Sequence, residues 1–139
     1  MQVEIILVVI GSSLFFILGT IHLLYTFFTD KFSPRTSTLE AEMKATSPIL
    51  TRQTTVWNAW IGFNASHSLG AIFFGIVNII LVTQYFSVLH DSIAFQIVNL
   101  TTIFFYLFLA KKYWFKIPLR GIFISALCFI VASILFHLR

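Results

Sequence analysis

VEIILVVIGSSLFFILGTIHLLYTFF, Val3 to Phe28, contains one charged residue, Glu4, and no proline. Wound as an α-helix at about 1.5 Å per residue, such a run is close to 40 Å long, enough to cross a hydrocarbon core of about 30 Å. It reads as a membrane span. A cleaved signal peptide would start with a basic segment and carry a shorter apolar run, whereas Glu4 stands where that positive segment belongs. The run is therefore expected to stay in the mature protein.

Composition agrees with lipid as the main solvent. Of 139 residues, 58% are hydrophobic, 10% are charged and seventeen are Phe, with a mean hydropathy of +0.93. Soluble chains carry about 25% charge, and a small domain has too little interior to hide this much apolar surface. The formal charge of +4 does not indicate nucleic acid, because all but one of the nine Lys and Arg lie in two short stretches between apolar runs. A single cysteine, Cys128, rules out a disulfide framework or a CxxC pair within one chain.

Further apolar runs cover residues 57–83, 93–112 and 119–138, so the expected fold is an all-α bundle of four transmembrane helices forming one domain. Between the first two runs, residues 29–55 form a polar loop in which Ser37, Thr38, Leu39 and Glu40 have capping-box spacing. A short interfacial helix is expected there, ended by Pro48. Trp57 and Trp60 open span two, Tyr113 and Trp114 form an aromatic belt after span three, and Pro118 sets the start of span four near Leu119. Residues 84–92 read as a plain loop.

Orientation follows from the basic residues. Lys31, Arg35, Lys44 and Arg52 lie between spans one and two, and Lys111, Lys112, Lys116 and Arg120 flank the turn between spans three and four. Only Arg139 lies elsewhere, an eight-to-one asymmetry that puts loops 29–55 and 113–119 in the cytoplasm and both termini in the periplasm or outside the cell. The cytoplasmic (inner) membrane is the expected location.

Each span has one small or polar stripe at helical spacing: Gly11, Phe15, Gly19, His22, Thr26 and Thr29 on the first, and Trp60, Asn64, His67, Ala71, Phe74 and Asn78 on the second. Gln96, Asn99, Tyr106 and Ala110 share a face of the third, and Gly121, Ser125, Cys128 and Ala132 form a seam on the fourth. Membrane helices associate through such faces, since lipid supplies no hydrophobic drive between them. Packing is therefore assigned to Gly11, Gly19, Gly121, Ser125, Cys128 and Ala132.

Counting rise from the cytoplasmic ends puts His22 and Asn64 at similar depth, with His67 a turn deeper and Tyr106 in the same half. His22, Asn64, His67, Tyr106 and Trp60 thus form the candidate ligand-binding cluster, because ionisable groups inside a span usually have a partner or a task. The plainer reading is that buried polar groups simply hydrogen-bond one another. The sharper one is a pocket for the head of a lipid, quinone or isoprenoid, with no cofactor implied. Haem or metal ligation by His22 and His67, or acid-base chemistry there, is the alternative, with the difference in depth standing against ligation. His90 and His137 fall nearer the outer surface and read as interface residues.

No span contains an Asp or Glu beyond Glu4, and the chain has no HExxH, GxSxG or phosphate-binding loop. Those absences point away from ion-coupled transport and from an enzyme, and toward an accessory subunit whose partners are membrane lipids, other membrane subunits or further copies of itself. The motifs GTIHLLYTFFTDKFSPR at Gly19 to Arg35 and WNAWIGFNASHSLGAIFFG at Trp57 to Gly75 resemble the signature of a family of uncharacterised small four-span bacterial membrane proteins. The resemblance covers most of the chain and implies four spans without an assigned activity. In size and span count the chain is also similar to the membrane-associated eicosanoid and glutathione metabolism enzymes, which are trimeric four-helix proteins. Their paired Arg and Glu that hold glutathione have no counterpart in span two, where Asn64 and His67 stand.

Overall fold

The computed structural model describes residues 2–138. Arg139, the single basic residue assigned to the outer side, lies outside them. The described residues form six helices and no strand: α1 (Gln2–Phe28), α2 (Ser37–Ala45), α3 (Val56–Gln84), α4 (Phe86–Asp91), α5 (Ile93–Tyr113) and α6 (Lys116–Leu138). Helices α1, α3, α5 and α6 are each long and apolar enough to cross a membrane, so the protein is an all-α, four-span membrane protein.

Helix ends are set by local hydrogen bonds. Thr55 accepts the Asn58 amide at 3.1 Å and caps α3, and Ser92 accepts the Phe95 amide at 3.4 Å at the start of α5. At the far end of α1, the Thr29 hydroxyl donates to the Tyr25 carbonyl at 2.9 Å and accepts the Lys31 amide at 3.2 Å. These contacts satisfy groups that a helix terminus leaves without intrahelical partners.

Four local expectations are corrected. Helix α2 forms, but its N-cap is Thr36, which makes no side-chain cap, and the Glu40 carboxylate accepts from Lys44 Nζ at 2.6 Å instead of closing a capping box. With the cap at Thr36 the third helical position is Leu39, which has no polar group to reach back to the cap, and Glu40 falls one residue too far along. Helix α6 starts at Lys116, three residues before Leu119, because Pro118 falls in the first turn where a missing N–H costs no bond. Residues 86–91, read as loop, form α4, held by the buried Leu89. Finally, Tyr113 is exposed but Trp114 packs inward against the apolar core and the Tyr106 ring, so only one member of that belt faces out.

Two compact units make up the chain. The first comprises residues 1–18 and 71–139, so it draws on α1, α3, α4, α5 and α6. Its centre is Phe15, fully buried, whose ring meets Phe74 at 4.7 Å and Tyr106 at 5.2 Å. Phe129 extends the cluster from α6, 5.7 Å from Phe74. Polar side chains join the helices here: Ser125 Oγ donates to the Gly11 carbonyl at 2.9 Å, and Asn78 and Asn99 exchange two amide hydrogen bonds of 3.1 and 2.7 Å. In hydrocarbon those amides have no water to turn to, so each supplies what the other needs.

Backbones approach closely where α1 crosses α3 at Gly75. A Cβ on Gly75 would stand 2.6 Å from the Ser12 carbonyl oxygen and 2.9 Å from the Phe16 amide nitrogen. On α6 the seam residues Ser125, Cys128 and Ala132 are buried, whereas the space at Gly121 is bounded by the Leu18 side chain.

The second unit comprises residues 19–70: the end of α1, the connecting segment with α2, and the first half of α3. Of its residues Gly19, Thr26 and Ser68 are buried, and His22, Asn64 and His67 are half-buried. Thr29 and Trp60, placed on the inward stripes from sequence, are exposed. Thr29 lies just past the end of α1, where helical spacing no longer sets direction.

Candidate functional site

The second unit brings three of the five sequence candidates into one hydrogen-bonded array. His22 Nε2 lies 2.9 Å from Asn64 Oδ1, and Asn64 Nδ2 donates to the Trp60 carbonyl at 2.8 Å. The chemistry of this chain fixes proton positions. A carbonyl oxygen only accepts, so the Asn64 atom on Trp60 is the amide nitrogen and the atom facing His22 is the amide oxygen, also only an acceptor. His22 Nε2 must therefore carry the proton, and in the neutral ring the lone pair falls on Nδ1.

Backbone contacts hold the array in place. The Thr26 hydroxyl donates to the His22 carbonyl and that of Ser68 to the Asn64 carbonyl, both at 2.8 Å. The His67 ring stands edge-to-face with His22, centroids 5.6 Å apart. The one-turn difference in depth that from sequence stood against joint metal ligation still leaves the two rings in edge contact. The Phe32 ring also packs on His22, with centroids 4.3 Å apart.

Trp60 has a positioning part. Its indole Nε1 donates to the Phe32 carbonyl at 3.1 Å, stapling the segment after α1 to α3 and holding the Phe32 ring on the imidazole. Sequence reasoning missed Phe32, Thr26's bond and Ser68. Phe32 did carry a signal, an aromatic residue immediately before Ser33-Pro34, where the chain must turn.

Tyr106 belongs to the first unit, where its ring meets Phe15 and, at 6.2 Å, Trp114. Its phenol is amphipathic, so the apolar ring suits that aromatic cluster. His90 and His137 are also in the first unit. His90 Nδ1 pairs with Asp91 at 2.6 Å and its ring packs on Phe86 and Phe136, while His137 is exposed.

The array and the His67 ring beside it offer directional hydrogen bonds without a fixed charge: two imidazoles and an amide, with aromatic faces beside them. Such groups suit a neutral polar head carrying a hydroxyl or carbonyl. Ligation of a metal by His22 would have to use Nδ1, because Nε2 is protonated toward Asn64. Among the described residues no three His, Cys, Asp or Glu side chains gather as a potential metal set. No family model, no curated protein and no solved structure matches the chain.

Proposed function

We propose that the chain is a noncatalytic membrane subunit or module that holds the polar head of an amphipathic molecule, a lipid, quinone or isoprenoid, at His22, Asn64 and His67. The observation that carries this reading is the run of hydrogen bonds from His22 through Asn64 to the Trp60 carbonyl. It orients one imidazole beside a second one on a membrane-spanning helix, where an acceptor and donors converge between apolar faces. The two motifs around it also support a place among small four-span bacterial membrane proteins. We further propose the inner membrane as its location, with loops 29–55 and 113–119 cytoplasmic, on the eight-to-one distribution of basic residues.

Mass spectrometry of copurifying lipids and cofactors tests the site. Relative to wild type, His22→Ala and His67→Ala should each lose one amphipathic species while remaining folded. If the side chains serve packing alone, both variants keep the same content and lose only the stability of an intramembrane hydrogen bond, about 0.6 kcal/mol. That result would end the binding proposal.

A further inference from the structure

Ile49 and Leu50 are the most exposed large apolar side chains among the described residues, at 107% and 93%, and they lie outside the four spans. They occupy the two central positions of a turn closed by the Thr51 amide on the Pro48 carbonyl at 3.2 Å. The closing bond brings the chain back on itself, so both side chains stand at the tip of the turn.

The turn is the tip of a clamped loop. At its neck the Val56 amide donates to the Thr46 carbonyl and the Thr46 amide to the Glu42 carbonyl, both at 2.9 Å. The Gln53 amide on Thr51 Oγ1 at 3.1 Å stiffens the returning limb. Little conformational entropy is left to lose when such a tip meets a partner.

The neck sits at the first residue of α3, which places the loop at a bilayer surface. Helix α3 has 29 residues, about 43 Å of helix against about 30 Å of hydrocarbon, so its ends lie in the headgroup layers. Trp57 and Trp60, in its first two turns, are residue types that favour that layer. From Val56 back to Leu50 the chain reaches at most about 20 Å, enough to return to the lipid. Charge fits the same partner: Arg52 is exposed, and residues 43–56 hold no acidic residue.

We propose that the Pro48–Thr51 turn is a membrane-inserting tip, in which Ile49 and Leu50 enter the boundary between headgroups and acyl chains of the bilayer the protein spans, with Arg52 set against lipid phosphate. The anchor holds the segment bearing Phe32 and α2 close to the membrane. It stands independently of any ligand at His22.

The full chain in nanodiscs of mixed zwitterionic and anionic phospholipid tests this. A nitroxide is placed at Leu50→Cys, and for comparison at Glu42→Cys, in a Cys128→Ala background. The label at 50 should collide more with oxygen and less with a water-soluble nickel relaxant than the label at 42. Equal nickel access at both sites overturns the proposal, and protection of site 50 from both relaxants overturns it in favour of a protein contact. A label-free readout is trypsin cleavage after Arg52 in vesicles. Ile49→Ser with Leu50→Ser should speed it at least about tenfold, the factor by which burial of such side chains favours the inserted state. Unchanged cleavage also refutes insertion.

Discussion

Glycine-to-alanine substitutions at Gly75, Gly121 and Gly62 separate backbone packing from every other effect of adding one methyl group. At Gly75 the new Cβ would lie 2.6 Å from the Ser12 carbonyl oxygen and 2.9 Å from the Phe16 nitrogen, both backbone atoms on α1. Neither can rotate away, so α1 and α3 must part by roughly 1 Å to restore ordinary contact, and the tilted Phe15–Phe74 ring contact loosens. We expect Gly75→Ala to cost about 2 to 3 kcal/mol, the upper part of the range for overpacking. At Gly121 the Cβ meets the Leu18 side chain, with Cδ1 at 2.7 Å as the one close atom at its flexible end, so rotation should hold the cost below about 1 kcal/mol. At Gly62 nothing lies within 4 Å, and the gain in helix propensity should leave the protein equal or up to about 1 kcal/mol more stable. Equilibrium denaturation of the three variants in one mixed-micelle system gives the order. Stability of Gly75→Ala equal to that of Gly62→Ala would refute the close α1–α3 crossing.

The reciprocal Asn78–Asn99 amide pair predicts coupling. Asn78→Leu or Asn99→Leu alone should lose about 1 to 2 kcal/mol by depriving the remaining buried amide of its reciprocal partner, and the double variant should recover much of it. Additive losses in that double-mutant cycle would deny the pair. Trp60→Phe removes the bond to the Phe32 carbonyl, so a fluorophore beside Ser33 should gain mobility while the four spans persist; unchanged anisotropy would leave the staple without a role. A reporter active only outside the cytoplasm, fused after Arg139, should be active, and a cytoplasmic signal there would reverse the proposed orientation.

Much of the architecture was legible in the chain itself. Apolar runs of 20 or more residues, interrupted by Asp30, Pro34 and the basic segments, leave little choice but helices across a membrane, because lipid forces every backbone N–H and C=O to pair within its own segment. For the same reason the limits of α1, α3 and α5 differ from the apolar runs by a residue or so. The periodicities that place Ser125, Cys128 and Ala132 on one line of α6 are local, and those residues are buried. His22 and His67 could be singled out as costly groups within spans from sequence alone.

Partnership was a different matter. Asn78 and Asn99 were each assigned to a stripe, but which amide met which depends on the crossing of α3 with α5, set by contacts far apart in the chain. Gly75 was passed over although Ala71 and Gly75 have the four-residue spacing of small interface residues, because whether backbones touch at a glycine is decided by the opposing helix. The tautomer of His22 required three residues in series, and the cover over its ring required the Trp60–Phe32 bond across 28 positions of sequence. Hydropathy and helical period act along a single segment and so are written in order along the chain. Hydrogen-bond partners and close approaches depend on the angle and register between segments, which exist only once the helices have packed.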